Sequence, residues 1–228
     1  MIVTIHQPEH MVWLGFLHNL TLAEVFVIFD DTQFKKHYFE NRNKIRTKDG
    51  SMWLTVPVKD QPLSTRIKDT LISHETEWIK KYLQSIKTHY GGTPYFKDYY
   101  PKIEQIFQKK HEKIVDLNIE IIEFLMEEFG VKPLKIIKSS ELNIPDHIKG
   151  SDICLEICKR AGASKYLSGV DGVNYLKLDD FEKEGIEVIF HKFDHPKYEQ
   201  IHGEFMPGMS SIDALFHLGP NAKKLLGL

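Results

Sequence analysis

The chain has 228 residues, 42% hydrophobic and 27% charged, a composition that excludes a disordered or collagen-like polypeptide. Thirty basic against thirty-two acidic residues leave a formal charge of −2, so no whole-chain field suits it to general nucleic-acid binding and any cationic surface must be local. A chain of this length hides roughly 70% of the surface its unfolded form exposes, enough for a core without disulfide or metal staples.

Residues 2–5, Ile-Val-Thr-Ile, read as a first strand. Residues 6–15 contain Pro8 and Gly15 and cannot form one regular helix, whereas residues 16–23 have helical spacing. Val25-Phe26-Val27-Ile28-Phe29 is a continuous apolar run that ends abruptly in Asp30-Asp31, the look of a buried parallel strand leaving its sheet. The first thirty residues therefore predict a βαβ unit. An extended segment over 41–48, a turn at Asp49-Gly50 and a strand over 53–58 predict a hairpin.

Residues 77–90 and 101–129 are patterned as amphipathic helices separated by Gly91-Gly92-Thr93-Pro94, and are read as a helical insertion. Strand and helix alternation then resumes, with strands at 134–137, 165–167 and 187–190 and a helix over 151–161 capped by Ser151 and Asp152. The whole is expected to be an α/β protein with a mostly parallel sheet of Rossmann-like (βαβ) character and a helical insertion around residues 77–129. No linker or repeat interrupts it, so residues 1–228 are taken as a single domain. Cys154 and Cys158, one helical turn apart, read as partly buried thiols of a reducing compartment. No basic region followed by an apolar stretch opens the chain, and no window holds the run of about eighteen apolar residues a membrane span needs, so a cytoplasmic protein without a transmembrane segment is expected.

Three places carry chemistry that packing does not require. The loop His6-Gln7-Pro8-Glu9-His10, with Trp13, Gly15 and His18, follows the first strand, and open α/β sheets bind ligands beyond the carboxyl ends of their strands. His6 is its best general base, with Gln7 and Trp13 as substrate contacts; a purely structural loop is the alternative, and a metal held by His6, His10 and an aspartate is a lesser one, so no metal is assigned. Asp30 and Asp31, with Gln33, end the adjacent strand and can orient an imidazole or take a proton from an amine, unless they only terminate the strand. Residues 35–48 hold six basic residues and one acidic one. If the strand is extended, Arg42, Lys44, Arg46 and Lys48 share one face, either a solvated edge or a binding strip for the diphosphate of a nucleotide sugar, a lipid-linked sugar or tRNA, with Lys36, Asn41 and Asn43 beside it.

The C-terminal part offers a second wall: Ser168 and Asp171 around a glycine-rich turn, and His195, Tyr198 and Gln200 in a loop rich in hydrogen-bonding groups. Ser210 and Ser211 read as a helix N-cap rather than a nucleophile. No Walker loop, Rossmann glycine fingerprint or G-x-S-x-G elbow is present.

His6-Gln7-Pro8, Trp13-Leu14-Gly15-Phe16, Val27-Ile28-Phe29-Asp30-Asp31-Thr32-Gln33-Phe34, Asn41-Arg42-Asn43-Lys44-Ile45 and Trp53-Leu54-Thr55-Val56-Pro57-Val58 stand in the order and spacing of the WbqC-like protein family. Leu167-Ser168-Gly169, His195-Pro196-Lys197-Tyr198-Glu199-Gln200 and the segment from Phe205 to Asp213 continue the match over nearly the whole chain. Where that family usually has an aromatic two residues after the proline and a proline before the tryptophan, this chain has His10 and Val12. The resemblance implies work in surface-polysaccharide or O-antigen assembly as an aminoacyl transferase, with glycine as the suggested group and a nucleotide- or lipid-linked amino sugar as acceptor. His6 with Asp30 or Asp31 would take the amine's proton, and Gln7, Gln33 or Asn43 would donate to the oxyanion. Without a loop for activating an acid, the acyl group of such a transferase would arrive already activated, as acyl-CoA, an adenylate or aminoacyl-tRNA. Two other readings stay open: a nucleotidylyltransferase, to which the strand, histidine loop, Gly15 and helix-borne His18 are similar, and a non-catalytic binding subunit of a glycan-assembly complex.

Overall fold

A computed structural model describes all residues, 1–228. In chain order the elements are β1 (Ile2–His6), α1 (Leu14–Thr21), β2 (Val25–Ile28), β3 (Arg42–Thr47), β4 (Gly50–Thr55), α2 (Trp78–Tyr90), α3 (Phe96–Gln108), α4 (Ile114–Phe129), β5 (Lys135–Lys138), α5 (Ser151–Ala161), β6 (Lys165–Ser168), α6 (Leu178–Lys183), β7 (Glu187–Phe190) and α7 (Ile212–Leu218). The chain divides into two compact units: Met1–Gln7, His18–Asp31 and Lys132–Asp194 form the first, and Pro8–Leu17, Thr32–Val131 and His195–Leu228 the second. No helix is long and apolar enough to cross a membrane.

The first unit is the Rossmann-like part of this α/β chain. Its five strands are all parallel, in the order β5-β2-β1-β6-β7. β2 is apolar throughout and buried at every position, as a strand covered on both faces must be. Val3, Ile5, Val25 and Val27 pack with Ile157, Cys158, Tyr166 and Phe181 in one core cluster. Both cysteines are buried and free. β5 lies at the sheet edge and starts one residue later than the pattern suggests, leaving Leu134 82% exposed. The expected cap of α5 is corrected: Gly150 is the N-cap residue, Ser151 is the first helical residue, and the Ser151 hydroxyl accepts the Lys177 N–H at 2.9 Å instead of serving its own helix.

The second unit combines the β3–β4 hairpin with α2, α3, α4 and α7. The hairpin turn is Lys48-Asp49, since Gly50 already pairs with Thr47, and the ladder ends at Arg42 opposite Thr55. β4 therefore stops before Val58, because Pro57 has no N–H to extend a ladder. The helical segment is three helices rather than two. α3 begins at Phe96, five residues before Pro101, because the Tyr95 N–H is anchored on Phe216 O and the Phe96 N–H on Thr93 O. A charged turn with Lys110 at φ 52° then separates α3 from α4. Ser211 stands at the α7 N-cap, but its hydroxyl donates to Val12 O at 2.7 Å and caps nothing.

Candidate active site

In the first unit the chain winds from β1 outward through β2 to β5 and then restarts on the other side of β1 with β6 and β7. That reversal marks the carboxyl ends of β1 and β6 as the topological switch point, where open α/β sheets place their ligands. His6 is the last residue of β1 and Ser168 the last of β6. Gly172 makes room there: a Cβ on it would lie 2.1 Å from Ser168 Oγ, so the turn after β6 can close over the strand end only with glycine. Asp171 is exposed on that same turn, Val170–Asn174, and Gln7 is half-buried beyond His6.

Two further histidines reach this edge. His18 Nδ1 and His191 Nε2 are 2.8 Å apart, so one of the two nitrogens carries the proton they share, and Phe193 packs at 5.0 Å from the His18 ring. The His191 N–H donates to Ser168 O at 2.8 Å, which ties the residue after β7 to the end of β6. Burial holds His6 down at about 4, with a hydrogen bond to Asn19 pulling upward and His191 adding to the fall. Burial lowers His191 to about 4 as well, helped by His18, and lowers His18. All three imidazoles are therefore neutral at pH 7, the form in which a histidine can accept a proton. His191 is absent from the sequence reading, yet it follows a strand end as Asp30 does, and that position was its signal.

The two aspartates expected beside His6 follow β2, the parallel neighbour of β1, and the Phe29 N–H donates to His6 O at 2.7 Å. Asp30 is buried, and its carboxylate accepts from Ser139 Oγ at 3.0 Å, Ser140 N at 3.0 Å and Ser140 Oγ at 2.7 Å. These bonds fasten the end of β2 to the turn after β5. Asp31 is half-buried, with its backbone N–H on Ser139 Oγ at 3.3 Å.

The remaining expected contacts lie in the second unit. Trp13 leans over Gly15, whose Cβ would lie 2.2 Å from the indole, and its ring stacks 6.4 Å from His195. Tyr198 and Gln200 are engaged with a buried carboxylate: Asp213 accepts from Tyr198 Oη at 2.6 Å, Gln200 Nε2 at 3.0 Å and Tyr90 Oη at 2.7 Å. Burial alone would raise Asp213, but bonding to His217, Tyr198 and Tyr90 wins and holds it below the usual carboxylate range. Asn41 Nδ2 donates to Val56 O, and Asn43 Nδ2 to His10 O and Met11 O. Gln33 Nε2 donates to Leu63 O, and Lys36 forms an exposed ion pair with Asp60.

The cationic strip splits in two. Arg46 is buried, and its guanidinium binds the carbonyls of Thr47, Gly50, His202 and Glu204, a structural use. Arg42 and Lys44 instead sit over the exposed Trp53 ring, at 4.2 and 5.0 Å from its centroid. Two cations on one indole leave their charge open to an anionic ligand. His10, the departure from the family pattern, lies at 0% exposure with Nδ1 on Asn118 Oδ1 at 2.8 Å and Nε2 on Tyr82 Oη at 2.7 Å. No group of three or more His, Cys, Asp or Glu side chains is arranged to hold a metal ion.

Comparison with known proteins agrees with the motifs. The model of the WbqC-like protein family matches residues 7–225. The chain is similar to "Uncharacterized protein Rv1507c" of Mycobacterium tuberculosis (strain ATCC 25618 / H37Rv), 27% identical over 227 residues that cover 98% of this chain and 96% of that one. No solved structure matches.

Proposed function

The chain belongs to the WbqC-like protein family, and from that premise we propose that it transfers an activated acyl or aminoacyl group, glycyl among them, to the amine of a nucleotide- or lipid-linked amino sugar in surface-polysaccharide or O-antigen assembly. The observation that carries this reading is His6 at the end of the central parallel strand, neutral, beside the hydrogen-bonded pair of His18 and His191. A neutral amine attacks the acyl carbon, His6 takes the proton the amine loses, and the donor's leaving group departs with the electron pair of the broken acyl bond. The donor is a thioester, an adenylate or aminoacyl-tRNA, since no loop for activating an acid with ATP is present. Asp31 orients the acceptor, while Asp30 keeps the β2 end in place through Ser139 and Ser140. Within the second unit, Arg42 and Lys44 over Trp53 are the cations suited to a phosphate-bearing ligand.

The placement of His6 on a strand end and His18 on the following helix favours a second reading, nucleotidyl transfer from ATP. Mass spectrometry of an amino-sugar nucleotide incubated with acyl-CoA, glycyl-adenylate or glycyl-tRNA separates the two. Acylation adds the mass of the acyl group, and His6→Asn lowers the rate by roughly 10²–10⁴-fold. Release of pyrophosphate from ATP without acylation favours nucleotidyl transfer, and full activity of His6→Asn removes His6 as the base.

A further inference from the structure

Within the second unit two glutamates stand together that the reaction above does not use. The segments carrying them are stitched by buried bonds: the His10 N–H donates to Phe39 O at 2.8 Å, and Asn118 Nδ2 donates to Pro8 O and to Glu40 O at 2.7 Å each. Asn118 also engages His10, which engages Tyr82, so a polar network at 0% exposure is spent on joining residues 8–10 to residues 39–40. Buried polar networks are costly unless complete, and this one is complete around its backbone atoms. Its product is a carboxyl pair that is not complete. Glu40 is 0% exposed and neither of its carboxyl oxygens has a hydrogen-bond partner on another residue, whereas Glu9 is half-buried.

We propose that Glu9 and Glu40 form a binding site for the ammonium group of an amine-bearing ligand, taken up in exchange for a proton that the pair otherwise holds. Two neighbouring carboxylates repel each other, and burial of Glu40 without a donor from another residue adds to the cost of ionising both, so the pair favours a proton or a cation. Burial and the charge of Glu40 raise Glu9 to about 8, and burial raises Glu40 to about 7. The charged group facing the pair is Lys35, which draws Glu40 downward but has its ammonium over the Tyr38 ring at 5.4 Å. His10 is held neutral at about 4 by burial, so it offers no positive charge. A ligand ammonium supplies positive charge and three donors to the pair. This inference does not rest on the chemistry proposed for His6.

The test is calorimetric titration of the whole chain with ethanolamine, using ethylene glycol as the uncharged control, at about pH 6.5 and about pH 8.5 and in two buffers of different ionisation enthalpy. Exchange for a proton predicts affinity higher by tenfold or more at the upper pH, uptake of about one proton by the buffer at the lower pH, and no response to the glycol. Glu9→Gln and Glu40→Gln should each weaken binding tenfold or more at the upper pH while the far-ultraviolet dichroism stays that of the parent. Absence of ethanolamine binding, equal affinity at the two pH values, undiminished binding in both variants, or a stronger response to magnesium than to the amine overturns the assignment.

Discussion

The histidines at the sheet edge and the glutamates of the second unit are opposite solutions to one problem. Both groups are titratable, and in both burial is the largest influence on their charge. His6 and His191 are pushed down to about 4 and Glu9 and Glu40 up to about 8 and 7, so each cluster is neutral or nearly so where a surface residue would be charged or half-charged. Asp213 shows what donors change. It is as buried as Glu40, yet with Tyr90, Tyr198, Gln200 and His217 around it the carboxylate stays ionised. Burial sets the direction for the histidines and the glutamates, and at Asp213 the supply of hydrogen bonds reverses it. The charge on Asp213 holds the fold together, whereas the neutral groups keep their capacity to exchange a proton with a ligand.

The largest effect should come from Asp213. Asp213→Ala leaves two tyrosine hydroxyls and the Gln200 amide without their acceptor, and removal of one member of a buried charged network costs about 3–5 kcal/mol. Urea unfolding followed by fluorescence should show this as a lower midpoint. A loss below about 1 kcal/mol would mean that the network around Asp213 is not what holds the loop from His195 to α7.

A smaller effect separates the two neutral clusters by the sign of their pH dependence. A carboxyl raised by folding contributes stability that is whole below its unfolded value near 4.5 and is lost as pH climbs through about 7 and 8 for Glu40 and Glu9. An imidazole lowered by folding contributes stability that is whole above its unfolded value near 6.5 and is lost as pH falls through about 4. Glu40→Gln should therefore raise stability at about pH 8.5, by on the order of 2–3 kcal/mol, and leave it nearly unchanged at about pH 4.5. His6→Asn should flatten only the acid limb. Thermal unfolding scanned across pH reads both, and a parent protein whose stability is flat from about pH 7 to 9 would break the comparison on the glutamate side.

Much of this architecture is legible in the residues. Val25-Phe26-Val27-Ile28 can hardly be anything but a central strand, and the α5 and β7 boundaries fall where the periodicity puts them. The strand end that carries His6 follows from the same rule. Signals that depend on a distant partner are not legible. Pro101 reads as a helix start because nothing local reveals the bond from Tyr95 to Phe216 O. Ser151 and Ser211 look like caps until their hydroxyls are taken by Lys177 and Val12. Arg46 belongs to a cationic strip in sequence and to four carbonyls in space. Glu9 and Glu40 become a pair through the bond from His10 to Phe39 O and through Asn118, which lies 110 residues from Pro8. One clue was present: an asparagine in the middle of the apolar stripe of α4, at 0% exposure, has to have polar partners.

The measurement that bears most directly on the reaction centre is a nitrogen-15 NMR titration of the histidine side chains from about pH 8 to about pH 4, repeated with an amino-sugar nucleotide present. His217, whose partner Asp213 outweighs burial and raises it above the ordinary 6.5, serves as the internal contrast. The account predicts that His6 and His191 remain neutral well below that value, that His18 titrates below it, and that the three resonances shift on addition of the ligand while His217 titrates above it. Imidazoles of His6 and His191 that charge near 6.5, or that do not respond to the ligand, would contradict the claim that the sheet edge holds neutral bases for the chemistry.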